Sequence, residues 1–154
     1  MTHVLEAGLE LIDNNNPNEL PKVRGYNIIN GKLTTSSDGA TFISNNPANI
    51  SDELGEFPLS TRDDVHDAIA AARSALEGWA ATPAPTRGQI IGNMGRLLME
   101  NKDDLVRLQA REIGKTVKEC GGEIQEAIDT CLFFQSEGRR LYGQTVNSEL
   151  PDKE

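Results

Sequence analysis

The sequence predicts a chain of the α/β class that is mostly α in content: an amino-terminal β-hairpin region followed by four amphipathic helices. Three observations carry this. Two turn dipeptides, Asn30-Gly31 and Asp38-Gly39, punctuate short runs rich in Ile, Leu, Thr and Phe. From Thr61 onward the apolar residues recur at spacings of three and four, the period of a helix with one buried face. Capping residues and helix breakers then divide that stretch into four segments.

Residues 1–25 read as a flexible lead. Val4, Leu5, Leu9, Leu11 and Ile12 could form a short helix, but the run from Asn14 to Pro21 (NNNPNELP) breaks the pattern and reads as a linker. Residues 26–59 form the β-hairpin region. Asn-Gly between β-rich runs is a strong hairpin signal because both residues tolerate the positive φ of a type I′ turn. Strands are expected near Tyr26 to Ile29, Lys32 to Thr35 and Thr41 to Ser44. Asn46-Pro47 then starts a loop, with one more extended segment from Leu54 to Phe57.

Residues 60–143 are helical. Ser60 and Thr61 stand three residues before Asp63 and Asp64, a capping-box spacing, and Val65, Ala68, Ile69, Ala72, Leu76 and Trp79 then line one face. Thr82 to Pro85 stops this helix, and Thr86 is placed to cap a second that carries Ile90, Ile91, Met94, Leu97 and Leu98. Asn101 restarts a third with Leu105, Leu108 and Ile113. Gly114 ends it, and Thr116 caps a fourth whose stripe runs Val117, Cys120, Ile124, Ile128, Cys131, Phe134 and Leu141. Residues 144–154 form a polar tail.

Fifteen Lys and Arg against 24 Asp and Glu give a formal charge of −9. Phosphate backbones and anionic lipid surfaces would be repelled, so neither nucleic acid nor a membrane is an expected partner. The first residues carry no charged-then-apolar leader pattern and no apolar run is long enough to span a bilayer, so a cytoplasmic chain is expected. Cys120 and Cys131, eleven residues apart on one predicted helix, lie roughly 16 Å apart along its axis, beyond disulfide reach. They fall on the face of Ile124 and Ile128 and read as buried, reduced core thiols.

Arg111 to Cys120 (REIGKTVKEC) contains Gly114-Lys115-Thr116, the tripeptide that closes a nucleotide-binding P-loop. Such a loop also needs a preceding strand and a glycine at the position held by Gln109, and here a helix precedes it. Of the paired carboxylates, Asp63 with Asp64 and Asp103 with Asp104 occupy first helical turns, where the macrodipole favours acids. Glu123 and Glu126 read as a solvated face. With His3 and His66 as its two histidines and neither in a ligand spacing, the chain offers no metal set, and Asp63-x-x-His66 is too little for one. Arg139 and Arg140 suit the last turn of the fourth helix as capping cations. From the residues alone, no catalytic, cofactor-binding or metal-binding side chain is assigned.

The order of these pieces is more informative than any one of them. IING, SSDGATF and NNPAN, then the long stretch from Leu59 to Cys120, then EIQEAIDTCLFFQSEGRRLYGQTV, together closely resemble the amino-terminal part of the NAD(P)-dependent aldehyde dehydrogenase superfamily. The resemblance runs from about Tyr26 to the last residues. Its specific portions are the Ile29-Asn30-Gly31 hairpin, the Asn46-Pro47 loop, the helix ending at Trp79, and Glu112 to Lys115, which resembles a Glu-x-Gly-Lys signature of that family.

The resemblance implies a partial aldehyde-dehydrogenase-like fold in which residues 60–143 are the helical part of an incomplete, Rossmann-like dinucleotide-binding domain. It implies that the parent is an oxidoreductase taking a small-molecule aldehyde and NAD or NADP: a cysteine thiolate attacks the aldehyde, hydride passes to the nicotinamide, and a glutamate-activated water releases a carboxylic acid. The motifs for those steps lie later in the family's polypeptide, so no such role falls on a residue here. A chain of this kind would be a fragment, inactive and without cofactor by itself. The competing expectation is a stand-alone helical interaction module that binds a protein partner. In either case the one-sided apolar stripes call for a cover, through a homo-oligomer or other association at exposed apolar surface.

Overall fold

Asn30 and Gly31 both take positive φ, 52° and 72°, which reverses the chain between β3 (Asn27–Ile29) and β4 (Lys32–Thr34) in a two-stranded antiparallel sheet. In this computed structural model, which describes residues 9–12, 22–140 and 143, that hairpin stands beside a four-stranded sheet. The larger sheet has the order β1-β2-β6-β5, from β1 (Leu9–Ile12), β2 (Lys22–Gly25), β5 (Thr41–Asn46) and β6 (Asn49–Pro58). β1 runs antiparallel to β2, β2 parallel to β6, and β5 antiparallel to β6.

Four helices follow, α1 (Arg62–Ala81), α2 (Ala84–Glu100), α3 (Lys102–Ile113) and α4 (Val117–Glu137). Thr61 and Asp64 close a capping box at the start of α1, and Thr116 and Glu119 close one at the start of α4, so each helix begins with two orphan donors satisfied. Gly114 ends α3 in the left-handed conformation, φ 69°. α2 and α3 both pack on α4, and α3 also leans on β5.

The structure corrects the sequence reading at several points. The lead contains strand rather than helix: Leu9 to Ile12 pair with β2, while Val4, Leu5 and the run from Asn14 to Pro21 lie outside the described residues, as do Leu141 and the tail. The expected Asn46-Pro47 loop is the tight tip of a long hairpin, where Asn46 Oδ1 accepts the Ala48 N–H at 2.9 Å, and β6 starts at Asn49 rather than Leu54. Thr86 does not cap α2; Pro83 holds that position without a side-chain bond, and Pro85 sits in the first turn, where a missing N–H costs no helix bond. α4 stops at Glu137 with Gly138 as its cap, so Arg139 and Arg140 lie past its end, and Arg140 turns back to Glu137 at 3.1 Å.

The core is split. Val23 and Leu54 bury the sheet's centre, whereas Val106, Cys120, Ile128 and Cys131 bury the contact of α4 with its neighbours. Cys120 and Cys131 are free and buried, as expected. α1 buries little beyond Asp64, and its apolar face, Val65, Ile69, Leu76 and Trp79, is open.

α2 approaches α4 closely because Gly88, Gly92 and Gly95 remove side chains from the contact. A Cβ at Gly88 would sit 2.6 Å from the backbone oxygen of Gln135, which cannot swing away. At Gly92 the obstacle is the end of the Gln135 side chain, which can. Gly88→Ala is therefore expected to lose about 1–2 kcal/mol net of its helix-propensity gain. Gly92→Ala should be neutral or slightly stabilising. Thermal denaturation of the two variants checks the order; equal midpoints would mean the helices are not held this close.

Candidate functional site

The chemistry that the sequence brings together lies at the turn between α3 and α4. Gly114 packs under the tip of the β5–β6 hairpin: a Cβ there would meet Ala48 N at 3.1 Å and Pro47 Cβ at 3.3 Å, and its positive φ already excludes most side chains. Next to it, Arg111 reaches Asp52 on β6 with Nη2 to Oδ1 at 2.7 Å and Nε to Oδ2 at 3.1 Å, a bidentate pair with both side chains about 15% exposed. Asn46 Nδ2 donates to the same carboxylate at 3.1 Å. The Arg111 guanidinium holds the Asp52 carboxyl below its ordinary range, against a smaller opposing push from burial.

On the far side of the turn Lys115 pairs with Glu123, whose other oxygen accepts from Gln109 Nε2 at 2.6 Å. This ties α3 to α4 and raises the Lys115 ammonium pKa through its Glu123 partner. Glu123 is thus a cross-helix acceptor rather than part of a solvated face. Thr116 Oγ donates to Glu119 Oε2 at 2.7 Å, and that bond keeps the Glu119 carboxyl low.

A second polar knot joins the β region to α1. Asp64 is buried and accepts the Thr61 N–H at 2.7 Å and the Ser37 N–H at 3.1 and 3.2 Å, with Ser36 Oγ at 3.4 Å. These donors, the Thr61 N–H foremost, lower its pKa. Asp64 was legible as a first-turn acid; its hold on the Ser36-Ser37 turn was not, because that contact spans 27 residues of sequence. Asp63 stays on the exposed face and forms no pair with His66, which instead takes a bond from Arg62 Nε at 3.3 Å. Among the described residues no three His, Cys, Asp or Glu side chains come together as a metal set. Asp103 and Asp104 sit in the first turn of α3, as the macrodipole reading expects. No described helix is long and apolar enough to cross a membrane.

The third feature is an open groove of about 540 Å³ between α2 and α4. Ile91, Met94, Phe133 and Phe134 line it, with Cys131 below and Arg87 and Glu137 at its edges.

These residues do not fit a nucleotide. At Gly114-Lys115-Thr116 the glycine is a helix C-cap pressed against Pro47 and Ala48, the lysine is taken by Glu123, and the threonine hydroxyl is spent on its own capping box. At the start of α4 the Thr116 N–H already donates to the Glu119 carboxylate and the Glu119 N–H to the Thr116 hydroxyl, and that carboxylate would repel a phosphate. The turn is a structural joint between two helices and a hairpin tip.

Residues 34–154 match the model of the aldehyde dehydrogenase family. The chain is 40% identical over 126 residues to the NADP-dependent succinate-semialdehyde dehydrogenase of Escherichia coli, covering 82% of this chain and 26% of that one. It is 36% identical over 126 residues to an α-ketoglutarate semialdehyde dehydrogenase of Haloferax volcanii, again 82% of this chain and 26% of the relative. Its structure is similar to that of an NAD-dependent aldehyde dehydrogenase from Sinorhizobium meliloti, with a TM-score of 0.78 and 27% identity over 91% of this chain and 28% of that one. The chain thus spans about a quarter of the length of the curated relatives it matches.

Proposed function

Because the chain belongs to the aldehyde dehydrogenase family, we propose that it is the amino-terminal scaffold of an enzyme that oxidises an aldehyde to a carboxylic acid with NAD or NADP, and that it performs no catalytic step by itself. The observation that carries this reading is the Glu112 to Lys115 turn. In sequence it resembles a signature of the family, and in space Gly114 seats the hairpin tip while Lys115 ties the turn to Glu123 of α4, which Gln109 of α3 also holds. The turn therefore acts by holding a shape and not by holding a ligand. On this reading residues 60–143 are the helical part of a dinucleotide-binding domain whose sheet comes from later polypeptide, and the dinucleotide and aldehyde are bound there.

The named substrates of the relatives, succinate, α-ketoglutarate, glutarate and malonate semialdehydes, each join an aldehyde to a carboxylate. The reading extends to a substrate of that class. It carries with it a cytoplasmic location, where thiols such as Cys120 and Cys131 stay reduced, and a homo-oligomer built by the complete enzyme.

The purified chain incubated with succinate semialdehyde and either nicotinamide cofactor is expected to form no NADH or NADPH. Grafted in place of the matching segment of the Escherichia coli relative, it should support NADPH formation with that substrate. Turnover by the isolated chain would overturn the non-catalytic assignment. An inactive graft whose remaining segment folds would overturn the scaffold assignment.

A further inference from the structure

Of the 20 residues of α1, Asp64 in the first turn is buried and Ala71 is half-buried; every other residue is exposed. α4, of similar length, buries Cys120, Ile128 and Cys131 against its neighbours. No described helix packs closely on α1, and its contact with β3 is slight. What holds it sits at its two ends. At the far end the ring of Trp79 lies 6.0 Å from the guanidinium carbon of Arg87, with the indole still 42% exposed. At the start, Asp64 reaches out of the helix to the turn before β5, where its Oδ1 accepts the Ser37 N–H at 3.1 Å. Beside that bond the Ser37 and Thr61 hydroxyls meet at 2.8 Å, and the Ser36 hydroxyl stands 3.4 Å from Asp64 Oδ2. The bonds between Asp64 and Thr61 lie within the capping box and travel with the helix. The hold on the β region is therefore the set from Ser36 and Ser37. A charge-assisted bond to a buried carboxylate outweighs a part-exposed cation–π contact, so the first-turn end is the stronger.

We propose that α1 is a latched arm, a unit that opens and recloses while the sheet and α2 to α4 stay folded, with the bonds from Ser37 to Asp64 and Thr61 as its latch. Opening α1 uncovers little apolar surface, so its cost is set mainly by these few polar bonds. Opening α4 would uncover the buried side chains it shares with α2 and α3, at a far higher cost. The latch can be cut without touching α1. Gly39 N–H donates to the Ser36 carbonyl at 3.0 Å, which makes Ser37 the second residue of a four-residue turn, and its φ is not positive. Proline suits that position and lacks both the N–H and the hydroxyl that the latch uses.

Amide hydrogen exchange on the 154-residue chain, followed peptide by peptide in water and in urea below the unfolding transition, tests the proposal. In the wild type, the α1 amides beyond the first turn should exchange at least about tenfold faster than those around Ile128 to Cys131 of α4. Their rates should respond weakly to urea, because little surface is exposed, while those of α4 respond strongly. Ser37→Pro should speed exchange in α1 about tenfold or more and leave α4 unchanged, the scale of a lost hydrogen bond to a charged group. Ser37→Ala, which keeps the N–H, should have a smaller effect. Asp64→Asn should act in the direction of Ser37→Pro, since the amide turns an NH2 toward one of the two backbone donors that the carboxylate accepts. Exchange of α1 and α4 in step, with one urea dependence, would overturn the proposal, because the helices would then open as one unit. So would a Ser37→Pro chain whose α1 exchanges as in the wild type, or one in which α4 loses protection together with α1. The scaffold reading is decided by the graft and stands apart from these outcomes.

Discussion

Alanine at Gly55 is expected to be the most damaging small change in the β region, lowering stability by about 3 kcal/mol. Gly55 is buried in β6 and stands opposite Val23 in the parallel pairing with β2. A Cβ at that position would fall inside the contact radius of the Val23 carbonyl oxygen and lie 2.7 Å from the carbonyl carbon. Both obstacles are backbone, so relief requires β2 and β6 to part, and with them the Val23 and Leu54 pair that forms the sheet's core. For a chain of this size the loss corresponds to a fall in the melting midpoint of roughly 6–12 °C. Gly25→Ala is the matched control. Its new Cβ would meet the ring of Phe57, a side chain that can turn, and the effect should be distinctly smaller. Thermal melts followed by circular dichroism, with hydrogen exchange on the β2 and β6 amides, decide the case. A Gly55→Ala chain that melts with the wild type would mean that β2 does not pair with β6 in this register.

That parallel pairing also marks where sequence reading stops. The Asn30-Gly31 hairpin, the capping box at Thr61, the cap at Thr116 and the helix end at Gly114 were legible because each depends on residues within four positions of one another. The pairing of β2 with β6 joins residues about thirty positions apart and leaves no local trace. The run from Asn49 to Glu53 hid a strand because all but Ile50 are polar and Ile50 itself is exposed, so alternation never appears. Glu123, read as part of a solvated face, and the second role of Asp64, read correctly as a first-turn acid, escaped for the same reason: each acts on a partner in another element. The apolar stripes were read correctly as helix faces, yet the structure leaves Val65, Ile69, Leu76 and Trp79 open on α1. A pattern of apolar residues shows that a face wants cover and is silent about what covers it.

Methionine at Arg111 is the second change of large expected effect, because it strands Asp52 between the helices and the hairpin. Exposed ion pairs contribute almost nothing and deeply buried ones cost about 3–5 kcal/mol when broken from one side, so this half-buried bidentate pair should cost about 2 kcal/mol at neutral pH. The pH dependence follows from the sign of the Asp52 shift. Arg111, and more weakly Asn46, hold the folded carboxyl below its ordinary value of 3.8, so its contribution is complete above that pH and disappears as pH falls through the lower folded value. Arg111→Met removes the main lowering influence and leaves the burial that raises the pKa. The difference in stability between variant and wild type should therefore be greatest at neutral pH and shrink on acidification as Asp52 protonates, first in the variant and then, below 3.8, in the wild type. Asp52→Leu combined with Arg111→Met removes both charges, and the double variant should regain part of the loss, with a coupling of about 1–2 kcal/mol in the cycle. Urea melts of the four chains across this pH range measure it. The pair joins the strand next to the hairpin tip to the helix that ends at Gly114, so its loss should also speed hydrogen exchange at Gly114 and Lys115. A pH-independent difference, or additive single effects, would mean that the tip is held to the helices by the packing of Pro47 and Ala48 on Gly114 alone.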